Sequence, residues 1–109
     1  MSVLTCKWLA VIALLTVTFP AWADLNDFCY ERAHFARLVA EDRDDKVANQ
    51  DEKYALSSWE NTLSNKGAHE IQRHKEIIVT AFEIAPTQPP LVFEETILQT
   101  CLRHPEMYR

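Results

Sequence analysis

The sequence predicts an all-α fold: a small bundle of about four helices, with one disulfide joining the first and the last. Three observations predict it. Apolar residues recur at three- and four-residue spacing along most of the chain after residue 23. Only one Gly stands in 109 residues, too few for a meander of tight hairpins, whose turns need residues at positive φ. Two cysteines, Cys29 and Cys101, lie near opposite ends of the same region.

Residues 1–23 read as a leader outside the fold. Lys7 supplies a positive start, Trp8 to Thr18 an apolar core, and Pro20 breaks the helix before Ala21-Trp22-Ala23. Small residues at the two positions a signal peptidase reads predict cleavage after Ala23. An N-terminal membrane anchor is the alternative, but the apolar run is short of the roughly 20 residues a span requires. Cleavage would leave one domain, 24–109. It would also remove Cys6, and the loss of Lys7 would take the formal charge from -5 to -6. No stable membrane insertion is expected after cleavage. In an oxidising compartment Cys29 and Cys101 are expected to form a disulfide, with a metal-binding pair or a reactive thiol as the alternatives.

The first helix is expected over Asp24 to Asp44, with Leu25, Phe28, Cys29, Phe35, Leu38 and Val39 on one face and Asp27, Glu31, Arg37 and Glu41 opposite. Asn49, with Glu52 three residues later, resembles a capping box for a second helix over about 50–64, with Ala55, Leu56, Trp59 and Leu63 as its buried stripe. Gly67 suits the left-handed position that ends it. A third helix over 68–85 carries Ile71, Ile78, Phe82 and Ala85 on one face, widened by Ile77, Val79, Ala81 and Ile84. Dense β-branching makes a strand at 77–84 the competing reading. Pro86, Pro89 and Pro90 stop this helix, and Pro90 can open a fourth, with Phe93, Ile97, Leu98 and Cys101 inward and an end before Pro105.

Composition excludes several functions. A formal charge of -5 argues against nucleic acid as the main partner, and one Gly argues against a Rossmann or Walker loop. No cofactor is implied. His69, Glu70 and His74 are the weak metal candidates. Their five-residue histidine spacing turns the imidazoles about 140° apart on a helix, whereas the zincin motif keeps them four apart on one face. A solvated helix face is the expected reading, and His34 or His104 would have to supply further ligands. The Glu94-Glu95 pair reads as an acidic first turn. Ser57 and Ser58 sit mid-helix, a poor setting for a nucleophile, so enzymatic activity is not expected. Arg43-Asp44 is either a surface ion pair or a fixed structural pair capping a neighbouring helix. Asp42, Asp44, Asp45, Asp51 and Glu52 are the candidate partner contacts, because an acidic surface can steer a basic protein.

Cys29, Ala33 and Ala36, Arg43-Asp44, Phe82, Pro86 with Pro89-Pro90, and Cys101 form an outline that resembles a broad group of small secreted proteobacterial helical proteins with two cysteines and no assigned function. Asp45 and Lys46 stand where that outline has a Gly. The resemblance implies a periplasmic or secreted location. Two functional classes share this general build: periplasmic immunity proteins that neutralise cell-wall-degrading toxins, and small disulfide-bridged acid-stress chaperones. A protein-binding or inhibitory role is therefore the leading expectation, with an acid-stress chaperone as the alternative and a metal-binding or enzymatic role behind both.

Overall fold

A computed structural model describes residues 27–45 and 51–109. The leader, the start of the first helix and the Asn49 cap lie outside the described residues. Among the described residues there are four helices and no strand. Helix α1 covers 27–44, α2 Glu52–Thr62, α3 Ala68–Val79 and α4 Pro90–Arg103, and a short 3-10 turn follows at Pro105–Met107. None of these helices is long and apolar enough to cross a membrane.

α1 packs through small residues. Ala33, Ala36 and Ala40 are buried, in helical register with Cys29, Arg32, Phe35 and Val39. Short side chains let neighbouring helix axes come close. The Cys29–Cys101 disulfide joins α1 to α4 across a sequence separation of 72, with Cα atoms 5.5 Å apart. That bond fits an oxidising, non-cytoplasmic setting.

Each later element keeps its predicted type, with shifts at its ends. Asp51 caps α2: its backbone is extended and its Oδ1 accepts the Tyr54 amide at 2.8 Å. The helix therefore begins at Glu52, and it ends at Thr62 rather than 64. Gly67 does have positive φ, at 86°, but it stands at the N-terminus of α3 and not at the end of α2. No atom lies within 4 Å of a Cβ built there, so the backbone angle, not space, favours glycine. The strand reading of 77–84 fails, because that stretch is helical. Nor is the helix uniform to residue 85. At Thr80–Ile84 it widens into a π turn, closed by the Ala85 amide on the Thr80 carbonyl at 2.9 Å. The widening re-aims the last turn. Ala81 is fully buried, while Ile84, expected on the apolar face, is 74% exposed.

α4 follows its sequence signals closely. Pro90 occupies the first turn, and Phe93, Ile97, Leu98 and Cys101 are buried. The core has two parts. The larger includes Phe35, Val39, Ala55, Leu63, Ile77, Ile78, Phe93 and Ile97. The smaller surrounds the disulfide with Ala33 and Leu98. Tyr108, just beyond the 3-10 turn, packs against both.

Candidate functional site

The predicted partner contacts belong to one end of the bundle. Asp42, Asp44 and Asp45 stand at the end of α1, and Asp51 and Glu52 open α2. Arg43 joins the end of α1 to the π turn. Its Nη1 donates to the carbonyls of Ala81 at 2.8 Å and Ala85 at 3.0 Å, and its Nη2 to that of Gln88 at 2.6 Å. Nε and Nη2 also donate to the two Asp44 carboxylate oxygens, at 2.9 and 3.2 Å. These five contacts match the five N–H groups of a guanidinium. Arg43-Asp44 is thus a fixed pair that satisfies carbonyls at the end of the third helix.

The π turn carries Glu83, whose charge acts on Glu52. Partial desolvation, and then the Glu83 carboxylate, hold the Glu52 carboxyl above its usual value. Asp42 is raised too, by burial and then by the charges of Glu41 and Asp45. On the same π turn, between the Ala81 and Ala85 carbonyls that Arg43 binds, the Ile84 side chain lies in water. The end is therefore acidic, crowded with like charge and furnished with an exposed apolar side chain. Asp51 has a structural duty in addition, as the α2 cap.

The second constellation is buried. Arg32 is 1% exposed. Its Nη2 donates to both Glu70 carboxylate oxygens at 2.9 Å, its Nη1 to Glu31 Oε2 at 2.7 Å and its Nε to the Tyr108 carbonyl at 3.0 Å. Its Nη1 also meets His74 Nε2 at 3.3 Å, and the guanidinium lies 4.6 Å over the Phe28 ring. The Phe35 ring stands edge-on to His74 at 4.6 Å and to Trp59 at 4.9 Å. The hydrogen bond to His74 holds Glu31 below the usual carboxylate value, aided by the charges of Arg32, His74 and Lys66 and opposed by burial.

This arrangement corrects the expectation of a solvated face at His69, Glu70 and His74. His74 points inward and is 1% exposed, because the five-residue spacing turns it away from His69. His69 stays exposed and meets the Arg109 backbone oxygen at 2.6 Å. Among the described residues no group of three or more His, Cys, Asp or Glu is arranged to hold a metal. Exposed His34 and His104 do not join His69 and His74.

Glu94 and Glu95 fall beyond the first turn of α4, which begins at Pro90. Glu94 lies 3.8 Å from Arg37, and Glu95 accepts from Gln99 at 3.0 Å. Both glutamates line a groove of ≈ 410 Å³ between α1 and α4, together with Tyr30, Ala33, His34 and Leu98. The carboxylates of that groove have partners on the molecule.

Glu31 and Glu52 give a paired prediction. The lowered Glu31 value means that its contribution is present at neutral pH and is lost as pH falls through that value. Glu31→Gln is expected to cost about 1 kcal/mol at neutral pH, a figure discounted because half of this side chain is in water. The loss should shrink only in strong acid, once Glu31 itself takes up a proton. The raised Glu52 value reverses the sign: Glu52→Gln should match or exceed the parent at neutral pH, with the difference closing in acid. Urea midpoints measured across pH check both trends.

No family model matches the chain, and neither a curated protein nor a solved structure is significantly similar to it. Sequence reasoning missed Arg32, Glu83 and the exposure of Ile84. An arginine three positions after Cys29 and three before Phe35, inside an apolar register, was the available signal for Arg32. Glu83 and Ile84 had none, because the π turn shifts their register.

Proposed function

We propose that the protein is an extracytoplasmic binding module of the inhibitory kind, and that it takes a basic protein partner at its acidic end. The observation that carries this reading is the gathering of Asp42, Asp44 and Asp45 at the end of α1 with Asp51 and Glu52 at the start of α2, together with exposed Ile84 on the π turn that Arg43 binds. Like charges gathered at one end and an isoleucine in water both work against stability, and features kept against stability mark function. A lysine or arginine from a partner would relieve the first and an apolar contact the second. The formal charge of -5 supports steering toward a basic surface. The resemblance to small secreted two-cysteine proteins supports a periplasmic or secreted setting.

The test captures partners of the oxidised protein from periplasmic and secreted extracts at neutral and acidic pH. It then measures affinities for Glu52→Lys with Glu83→Lys, for Ile84→Asp, and for Glu94→Lys with Glu95→Lys as the control. One stoichiometric partner at neutral pH is expected. Each acidic-end variant should weaken it by about 10-fold or more, a loss of about 1.4 kcal/mol, and the control should leave it unchanged. Charge reversal without effect on any captured partner overturns the proposal. Many partners held only in acid would replace it with the chaperone reading.

A further inference from the structure

The Arg32 cluster lies apart from the acidic end, and its geometry supports an inference independent of partner binding. His74 Nδ1 lies 2.7 Å from the Glu70 carbonyl, which can only accept. Nδ1 therefore carries a proton whatever the charge of the ring, and Nε2 is the position that gains or loses one. Nε2 faces two groups at the same distance. Arg32 Nη1, which can only donate, is at 3.3 Å, and Glu31 Oε1, which can only accept when ionised, is also at 3.3 Å. A neutral ring takes the Arg32 hydrogen. A cationic ring gives its own hydrogen to Glu31 and sets two positive groups side by side. The Arg32 and His74 side chains are both 1% exposed, so water has little room to soften the conflict.

We infer that His74 is a proton-operated switch, trading Arg32 for Glu31 on protonation and thereby setting how α1 holds the turn that follows α4. The groups around it come from each element it meets. α1 brings Glu31, Arg32 and the Phe35 ring. α3 itself brings Glu70, whose Oε2 is 4.0 Å from Nδ1, and Lys66 in the preceding turn acts on Glu31. With a neutral ring the cluster holds two carboxylates against one guanidinium. A proton balances that charge, so the site can accept one although it is buried. The change falls on Arg32, which loses an acceptor and gains a like charge.

Arg32 transmits the change because its Nε also binds the Tyr108 carbonyl, at 3.0 Å. Tyr108 lies at the seam of the two core clusters. The neighbouring Arg109 oxygen is held from α3 by His69 at 2.6 Å and Arg73 at 2.7 Å. In acid those contacts persist, since both groups still donate. The polar hold of α1 on the turn thus weakens while that of α3 is kept, and the seam loosens within the limits set by the Cys29–Cys101 bond.

The test is an NMR titration of the oxidised protein that follows the His74 ring nitrogens and the Tyr108 amide. At neutral pH the Nδ1–H tautomer is expected. On acidification Nε2 should gain its proton. The Tyr108 amide should respond with the same midpoint, its exchange, corrected for intrinsic rate, rising about 10-fold or more. His74→Gln keeps an acceptor for Arg32 and removes the titration, so Tyr108 should no longer respond. Glu31→Gln should move the His74 midpoint down, because a neutral amide replaces the carboxylate that accepts the Nε2 hydrogen. An Nε2–H tautomer at neutral pH, a Tyr108 response that survives His74→Gln, or midpoints that do not coincide would each overturn the inference. If His74→Gln does not fold, the tautomer and the Glu31→Gln shift decide.

Discussion

Replacing Cys29 and Cys101 together by alanine is expected to lower stability by about 4 kcal/mol, the loop-closure value for a separation of 72. Small domains hold about 5–15 kcal/mol in total, so this is the largest single loss expected. The effect arises mainly in the unfolded chain, which gains freedom once the ends of the domain are no longer tied. The void left by two buried sulfurs beside Ala33 and Leu98 adds a smaller loss in the folded state. Urea unfolding of the double variant should show a lower midpoint and a steeper denaturant slope, since the released chain exposes more surface. The variant is a cleaner test than reductant, because both sulfurs are buried beyond its reach in the folded protein. An unchanged midpoint would show that the helix contacts alone set stability.

Arg32→Met is the second large effect, at about 2–3 kcal/mol. Methionine keeps most of the stem packing and removes all five donors. Breaking a buried ion pair on one side costs about 3–5 kcal/mol when the stranded charges remain in the interior. Here Glu31 and Glu70 are 48% and 39% exposed and regain water, so the loss falls below that range. His74 and the Tyr108 carbonyl remain without their donor. Arg32→Lys should recover only part of the loss, because one ammonium cannot reach the four residues that the planar fork reaches. Equilibrium unfolding at neutral pH measures both. A loss under about 0.5 kcal/mol would place the cluster among ordinary surface pairs.

The elements of this fold were legible in the sequence because each carries its own local signal. Pro90 at the head of α4 and Phe93, Ile97, Leu98 and Cys101 at helical spacing needed no tertiary information. The two cysteines gave the staple through their compartment and number. The ends were less legible. Asn49 and Asp51 are both good caps, and only the extended backbone at Asp51 and its bond to the Tyr54 amide decide between them. The acidic end was visible as composition, in Asp42, Asp44, Asp45, Asp51 and Glu52. Its partner group Glu83 was not, because periodicity assumes 3.6 residues per turn and the π turn at Thr80–Ile84 departs from it. Arg32 was hidden for a different reason. An arginine on an apolar face reads as an error in the pattern until its acceptors, distant in sequence, are known.

Arg32 and Arg43 of α1 bear on the order in which the chain can settle. Arg32 waits for Glu70, His74 and Tyr108, and Arg43 for Ala81, Ala85 and Gln88. Cys29 waits for Cys101. The Phe35–Trp59 contact can form once α2 is made, but these polar and covalent anchors of α1 all lie at residue 70 or beyond. Contacts of such long sequence separation slow folding, because their loops must close before they return any energy. A chain emerging from the ribosome holds α1 without its anchors until almost the whole domain has been made.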